Sequence, residues 1–308
     1  MDAPTDSTSG LFIFYICYFC KMIDTLTEEI DRAVREFTDG LPAIQKKIYA
    51  SLLDELKGLK LYSDGSIKNN YENIRKIARI KKTLKDIILN KPYLIKVNGF
   101  VDAYESVEKI QNIYFGKLSA DFTPKKVLEE VKKQSVDDVV EMLTENGINA
   151  NIAEPIRQII KTNITSGGSY AELTEQLRDK ILGTKDLDGS LVKYSSQITT
   201  DAINQYSATY IKVVTDDLGL KWFRYTGSLL KTSRPFCIAM VAKSYVHESE
   251  FPEILKGNID GKKVSLAGLN ANTTPANFQI LRGGWNCSHQ LIPISAVSVP
   301  QNIKDKIK

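Results

Sequence analysis

The sequence predicts an α+β fold, with a mainly helical N-terminal half followed by a small α+β C-terminal domain containing short antiparallel strands. Three observations carry that prediction. Apolar residues recur at three- and four-residue steps from Met22 to about residue 165, which is the period of an amphipathic helix. Ser166-Gly167-Gly168 then interrupts the pattern. Beyond the long helix that follows, the apolar segments become short, alternating or β-rich, and are bounded by Gly or Pro. The chain therefore divides into an extension over 1–21, a helical domain over 22–165 and a second domain over 166–308.

At 308 residues, 43% hydrophobic and 25% charged, the chain is long enough for two domains with a real core. A formal charge of +4 does not by itself imply a nucleic-acid partner. The charge is concentrated, however: residues 66–96 hold nine Lys and Arg against Glu72 and Asp86, a local balance of +7 that leaves the remainder acidic.

In residues 1–21 the apolar run Leu11–Cys20 is half of the roughly twenty residues needed to cross a bilayer. Its acidic start, Asp2 and Asp6, and its bulky end do not fit a secretory signal, so no membrane partner is expected. Met22 opens "MIDTLTEEIDRAVREF", where Asp24 or Thr25 can cap a helix, and translation is expected to begin there. Cys17 and Cys20 form a C-x-x-C among aromatics and are expected to be inert.

Gly40-Leu41-Pro42 separates the first helix from a second in which Ile44, Ile48, Leu52 and Leu56 stand four apart. The basic stretch follows, with Ile67, Tyr71, Ile74, Ile77, Leu84 and Ile88 as its apolar stripe. Arg75, Lys76, Arg79, Lys81, Lys82 and Lys85 lie on its other face, read as solvated or as a contact for an acidic partner or DNA. Asn90 and Pro92 stop this helix. Thr123 as cap with Pro124 at the first helical position starts the next, and Ser135 with Asp138 resembles a capping box. Short turns at Gly147 and Pro155 separate two more helices. Ser169 and Glu172 form a capping box, and Ile198, Ala202, Tyr206, Tyr210 and Val214 stripe a longer helix that ends at Gly219. "LKWFRYTGS", "NFQILRGG" and "HQLIPIS" are the β-rich segments, with Trp222, Phe223, Phe236 and Trp285 as the small domain's core aromatics.

Both histidines of the chain, and two of its four cysteines, fall in the last third. Cys237 and His247 stand in "TSRPFCIAMVAKSYVHESEF", and Cys287 and His289 in "RGGWNCSHQLIPI". Ser233, Arg234, Pro235, Phe236 and Cys237 form one compact element, and Gly284, Trp285, Asn286, Cys287 and His289 form another. The order of long helix, SRPFC element, loop-rich spacer and G-x-N-C-x-H element before an apolar strand resembles the phage head morphogenesis family, the Mu F-like minor capsid proteins. The resemblance covers about 166–296, and Ser288 stands where the family has arginine.

The resemblance implies a structural, non-enzymatic head protein that acts in virion assembly. Its partners would be the portal protein, capsid or scaffold proteins and packaged DNA. It would lie in the capsid interior or at the portal vertex, and in the host cytoplasm during assembly, a reducing setting. The helical half becomes a portal-docking region.

Cys237, His247, Cys287 and His289 together supply two thiolates and two imidazoles, a complete tetrahedral set for a structural zinc, although their spacing lacks a C-x2-4-C knuckle. The simpler expectation makes Cys287 a small buried residue and His289 a locally hydrogen-bonded strand residue. Arg234 reads as a hub whose planar fork ties loop carbonyls together. Two enzymatic alternatives remain: a thiol nucleophile with a histidine base, lacking an orienting acid, and ADP-ribosyl transfer through Glu248-x-Glu250.

Overall fold

The computed structural model describes the backbone of residues 8–307 and the side chains of residues 21–307. Residues 1–7 and the side chains of residues 8–20, among them those of Cys17 and Cys20, lie outside the described residues, and Met22 falls inside α1.

Nine helical elements precede the first named strand: α1 Thr8–Thr38, α2 Leu41–Leu56, α3 Tyr71–Ile88, α4 Lys91–Leu118, α5 Lys126–Thr144, the short α6 Asn146–Ile148, α7 Glu154–Ser166, α8 Tyr170–Leu182 and α9 Ser190–Asp217. A π-helical turn, Asn149–Ala153, joins α6 to α7. Then follow β1 Trp222–Thr226, α10 Pro235–Lys243, β2 Tyr245–His247, α11 Phe251–Ile254, β3 Asn258–Ile259, β4 Lys262–Lys263, α12 Phe278–Leu281, β5 Gln290–Ile294 and α13 Gln301–Lys304. The expected α+β class is what the molecule shows.

The chain forms two compact units, neither of which is one stretch of sequence. One comprises Ala33–Asp102 and Val136–Thr199; the other Met1–Arg32, Ala103–Ser135 and Thr200–Lys308. The two units interleave along the sequence, and α1, α4, α5 and α9 each contribute residues to both.

In the first of these units α2 packs on α8, and α7 on α3 and α8. Ile44, Ile48, Leu52 and Leu56 are buried as their spacing predicts, and Phe37 meets Tyr93 and Phe100 edge-on. Pro42 sits in the first turn of α2, where its missing N–H costs nothing. Ser169 caps α8 by accepting from the Glu172 N–H. The stripe of α3 is rotated from expectation: Asn73, Ile80, Leu84 and Ile88 are buried, whereas Tyr71 and Ile74 are exposed. Asn73 is the reason, because its side chain bonds the Lys60 N–H and the carbonyls of Lys60 and Lys68. A satisfied buried amide thereby takes a position that apolar counting would leave outside.

Several expected boundaries are also corrected. Helix α1 runs through Asp24 and Thr25, whose hydroxyl donates back to the Lys21 carbonyl. Helix α5 starts at Lys126, after Thr123 and Pro124, and passes through Ser135 and Asp138 without a cap. "NFQILRGG" is helical at Phe278–Leu281, not a strand.

The other unit contains the antiparallel sheet, in the order β2-β1-β5. Trp222 pairs with His247 on one side and Ile294 on the other, and Arg224 with Ile292. Residues alternate faces along β1. Phe223 and Tyr225 join Phe236, Cys237, Met240, Val246, Phe251, Phe278 and Leu291 in one apolar cluster, while Trp222, Ile294 and Val299 form another. Gly219 takes a left-handed conformation (φ 62°) just past α9, and the next amide, that of Leu220, returns to the Thr215 carbonyl. The Tyr114 hydroxyl donates to the Pro293 carbonyl at 2.5 Å, tying α4 to β5 within this unit.

Candidate metal centre

Helix α10 presents Cys237. Pro235 occupies its first turn, and Phe236 and Cys237 are buried in the sheet's larger cluster. Ahead of it, the Ser233 hydroxyl accepts from the Leu230 N–H and closes a turn. The facing loop runs from Gly283 to Ser288, between α12 and β5. Its path demands glycine: a Cβ on Gly284, at φ 74°, would lie 2.1 Å from the Gly268 carbonyl oxygen, and one on Gly283 would lie 1.9 Å from Cys287 Sγ.

Arg234 fastens the two elements. Its Nη1 donates to the Gly283 carbonyl at 2.9 Å and its Nη2 to the Trp285 carbonyl at 2.5 Å, as its reading as a hub requires. The loop is also held from α9, because the Asn286 N–H donates to Asp201 Oδ1 at 2.5 Å with Asn286 itself left-handed (φ 56°). Burial raises the Asp201 carboxyl above its ordinary value despite that hydrogen bond.

Cys237, Cys287 and His289 converge here, and one ligand atom from each lies within 4.8 Å of the others. Cys287 Sγ is 3.6 Å from His289 Nδ1, and the Tyr225 hydroxyl is 3.7 Å from Cys237 Sγ. The imidazole stacks on the Tyr225 ring at 5.6 Å between centroids. His289 is 5% exposed, and its Nε2 is buried without a hydrogen-bond partner among the described residues. Its hydrogen-bonding capacity is not exhausted by the protein.

Arg282 completes the setting. Only 3% exposed, it donates to the His289 carbonyl (2.6 Å), the Gln279 carbonyl (3.0 Å) and Gln290 Oε1 (2.7 Å), all neutral acceptors. Gln290 passes its own amide N–H to Asn204 Oδ1 on α9 at 2.6 Å. The Cys237 thiol, hydrogen-bonded to Cys287, holds the Cys287 thiol well below its usual range against the opposing effect of burial; His289 and the Arg282 charge act in the same direction. The same contact and burial push Cys237 up. The Tyr225 phenol is raised by burial first and then by the two sulfurs.

These three side chains can hold a metal ion. With Zn–S near 2.3 Å and Zn–N near 2.0–2.1 Å, tetrahedral ligands stand about 3.5–3.8 Å apart. The 3.6 Å between Cys287 Sγ and His289 Nδ1 falls in that range.

The expected fourth ligand is not among them. His247 pairs with Trp222 across β1 and β2, meets the indole in a tilted contact with centroids 4.8 Å apart and accepts the Ser249 N–H at Nδ1. It shares the face of Trp222, opposite the face of Phe223 and Tyr225 where Cys237 lies, so strand register removes it from the set. Trp285, expected in the core, is 54% exposed. The expectation of Cys287 and His289 as a packed, locally bonded pair holds for their mutual contact and leaves Nε2 unaccounted for.

No protein-family model, curated protein or solved structure matches the chain.

The other sequence candidates lie elsewhere. On α3, Arg79 and Lys85 pair with Glu55 and Glu145, Lys76 Nζ donates to the Glu55 carbonyl, and Arg75 stands over the Tyr71 ring. Lys81 and Lys82 are exposed on the same helix. Glu248 and Glu250 are held by Lys221 and Lys243. Sequence reading missed Arg282, Tyr225, Asn204 and Gln290. The available signal was Arg282 itself, a lone charge among apolar residues and glycines. Among the described residues, no helix is long and apolar enough to cross a membrane.

Proposed function

We propose that this chain is a structural minor head protein of a tailed bacteriophage, acting in capsid assembly at the portal vertex, and that Cys237, Cys287 and His289 hold a structural zinc. One observation carries the reading: the SRPFC and GGWNCSH elements, about fifty residues apart, form a single clasp through Arg234 and the two cysteines. A clasp that fastens loop-rich chain to a three-stranded sheet serves stability and shape, as a protein that must dock into a larger assembly needs. Zinc fits the donor set, in which two thiolates and one imidazole would supply three of its ligands.

The exposed basic residues of α3 offer a surface for an acidic portal face or for packaged DNA, and so for a role in packaging or ejection. The test is co-expression with a tailed-phage portal protein, followed by affinity capture of the portal. Stoichiometric recovery supports the reading; failure to co-purify under conditions in which heads assemble refutes it.

A second reading has one observation in its favour. Cys287 has a depressed thiol pKa and touches His289, as a thiol enzyme's nucleophile would. His289 has no carboxylate orienting it, since Nε2 is unpartnered among the described residues. Thiol-dependent hydrolysis abolished by Cys287→Ser would decide for the enzyme. ADP-ribosyl transfer has no comparable support, because both of its glutamates are engaged in ion pairs.

A further inference from the structure

The two sulfurs of the clasp differ in one respect that zinc binding does not use. Cys237 is 2% exposed, whereas Cys287 is half-buried and lines a small cavity of about 20 Å³ together with Asp201, Asn204, Arg282, Gly283 and Trp285. A reagent from solution therefore meets Cys287 first, and Cys237 stands behind it within 4.8 Å. Gly283 keeps the backbone clear of Cys287 Sγ, since any side chain there would collide with it.

We propose that Cys287 is a site of thiol–disulfide exchange with small-molecule disulfides of the glutathione type, and that Cys237 resolves the adduct into an internal Cys237–Cys287 disulfide. The chemistry balances in two steps. The Cys287 sulfur attacks one sulfur of the incoming disulfide, a Cys287–S–S–R bond forms, and the first RS⁻ leaves. The Cys237 sulfur then attacks Cys287 Sγ, the bond to R breaks, and the second RS⁻ leaves. Two cysteine thiols are oxidised by two electrons, the external disulfide is reduced, and the two thiol protons end on the released thiolates. The inference shares its residues with the zinc reading but does not depend on it. Where zinc is present, exchange releases it, because both thiolates are consumed.

The experiment uses the full chain with Cys17→Ser and Cys20→Ser, reduced, stripped of metal with a chelator, then incubated with oxidised glutathione and followed by intact mass and peptide mapping. The protein should become about 2 Da lighter, with the peptides carrying residues 237 and 287 linked. Cys237→Ser should accumulate a stable glutathione adduct on Cys287, and Cys287→Ser should react at least tenfold more slowly. A protein that stays reduced, or a Cys287→Ser variant modified at Cys237 as fast as the parent, overturns the inference. Metal content, measured separately on untreated protein, reports on the zinc reading alone, so either can fail without the other.

Discussion

Replacing Arg282 by methionine removes a buried guanidinium while approximately keeping its volume. Four acceptors depend on it: the carbonyls of His289 and Gln279 and the Gln290 side chain, within 3.0 Å of its nitrogens, and more weakly the Ile280 carbonyl at 3.4 Å. Each buried acceptor left unmade costs about 1–3 kcal/mol, and removing a desolvated charge returns part of that, so a net loss of about 3–5 kcal/mol is expected. At about 2–4 °C per kcal/mol for a unit of this size, the melting point should fall by about 6–20 °C. The assay is direct because the chain's only two tryptophans, Trp222 and Trp285, both belong to this unit. Urea unfolding followed by their fluorescence therefore reports the unit that holds the clasp. Arg282→Lys keeps the charge but not the planar fork, and should lose most of the same stability. A methionine variant within about 1 kcal/mol of the parent would refute the assignment of Arg282 as the organiser of β5 and the Gly283–Ser288 loop.

Three further outcomes follow from the same geometry. Gly283→Ala places a methyl against Cys287 Sγ and should cost about 1–3 kcal/mol, read as a lower urea midpoint at unchanged slope. Phe236→Ala, in the core, should cost about 3–5 kcal/mol, whereas Trp285→Ala, half in solvent, should cost less than about 1 kcal/mol; thermal unfolding compares them. Burial works against the charge on Lys243, but the hydrogen bonds and charges of Asp260 and Glu250 on either side together outweigh it and raise its pKa. A raised lysine contributes stability that is fully present below its unfolded pKa of about 10.4 and is lost as pH rises through the higher folded value. Lys243→Met should therefore destabilise at pH 7 to 9, and the difference from the parent should shrink above pH 11; urea midpoints across that range test the sign.

Local chemistry made much of the fold legible from the residues alone. Ser169, Gly219, Pro42 and the fourfold spacing of α2 act within one or two helical turns, and each does in the structure what its position requires. Arg234 was legible for a similar reason, since a guanidinium beside a glycine-rich loop has few other uses. What escaped depends on contacts distant in sequence. Asn73 is buried because Lys60 and Lys68 come to it, and this turns the whole stripe of α3. His247 left the ligand set because strand register put it opposite Trp222, a fact invisible in the spacing from Cys237. "NFQILRGG" is rich in strand-forming residues but becomes a helical turn, with Phe278 in the core and Arg282 drawn inward to β5.

The central claim is that the two cysteine elements form one metal-holding clasp. Elemental analysis of the full chain, purified without chelator, tests it most directly. About one zinc per chain is expected, lost in Cys237→Ser, Cys287→Ser and His289→Ala and retained in His247→Ala. A parent protein without metal after zinc reconstitution, or a zinc content that survives removal of Cys237 and Cys287, would contradict it.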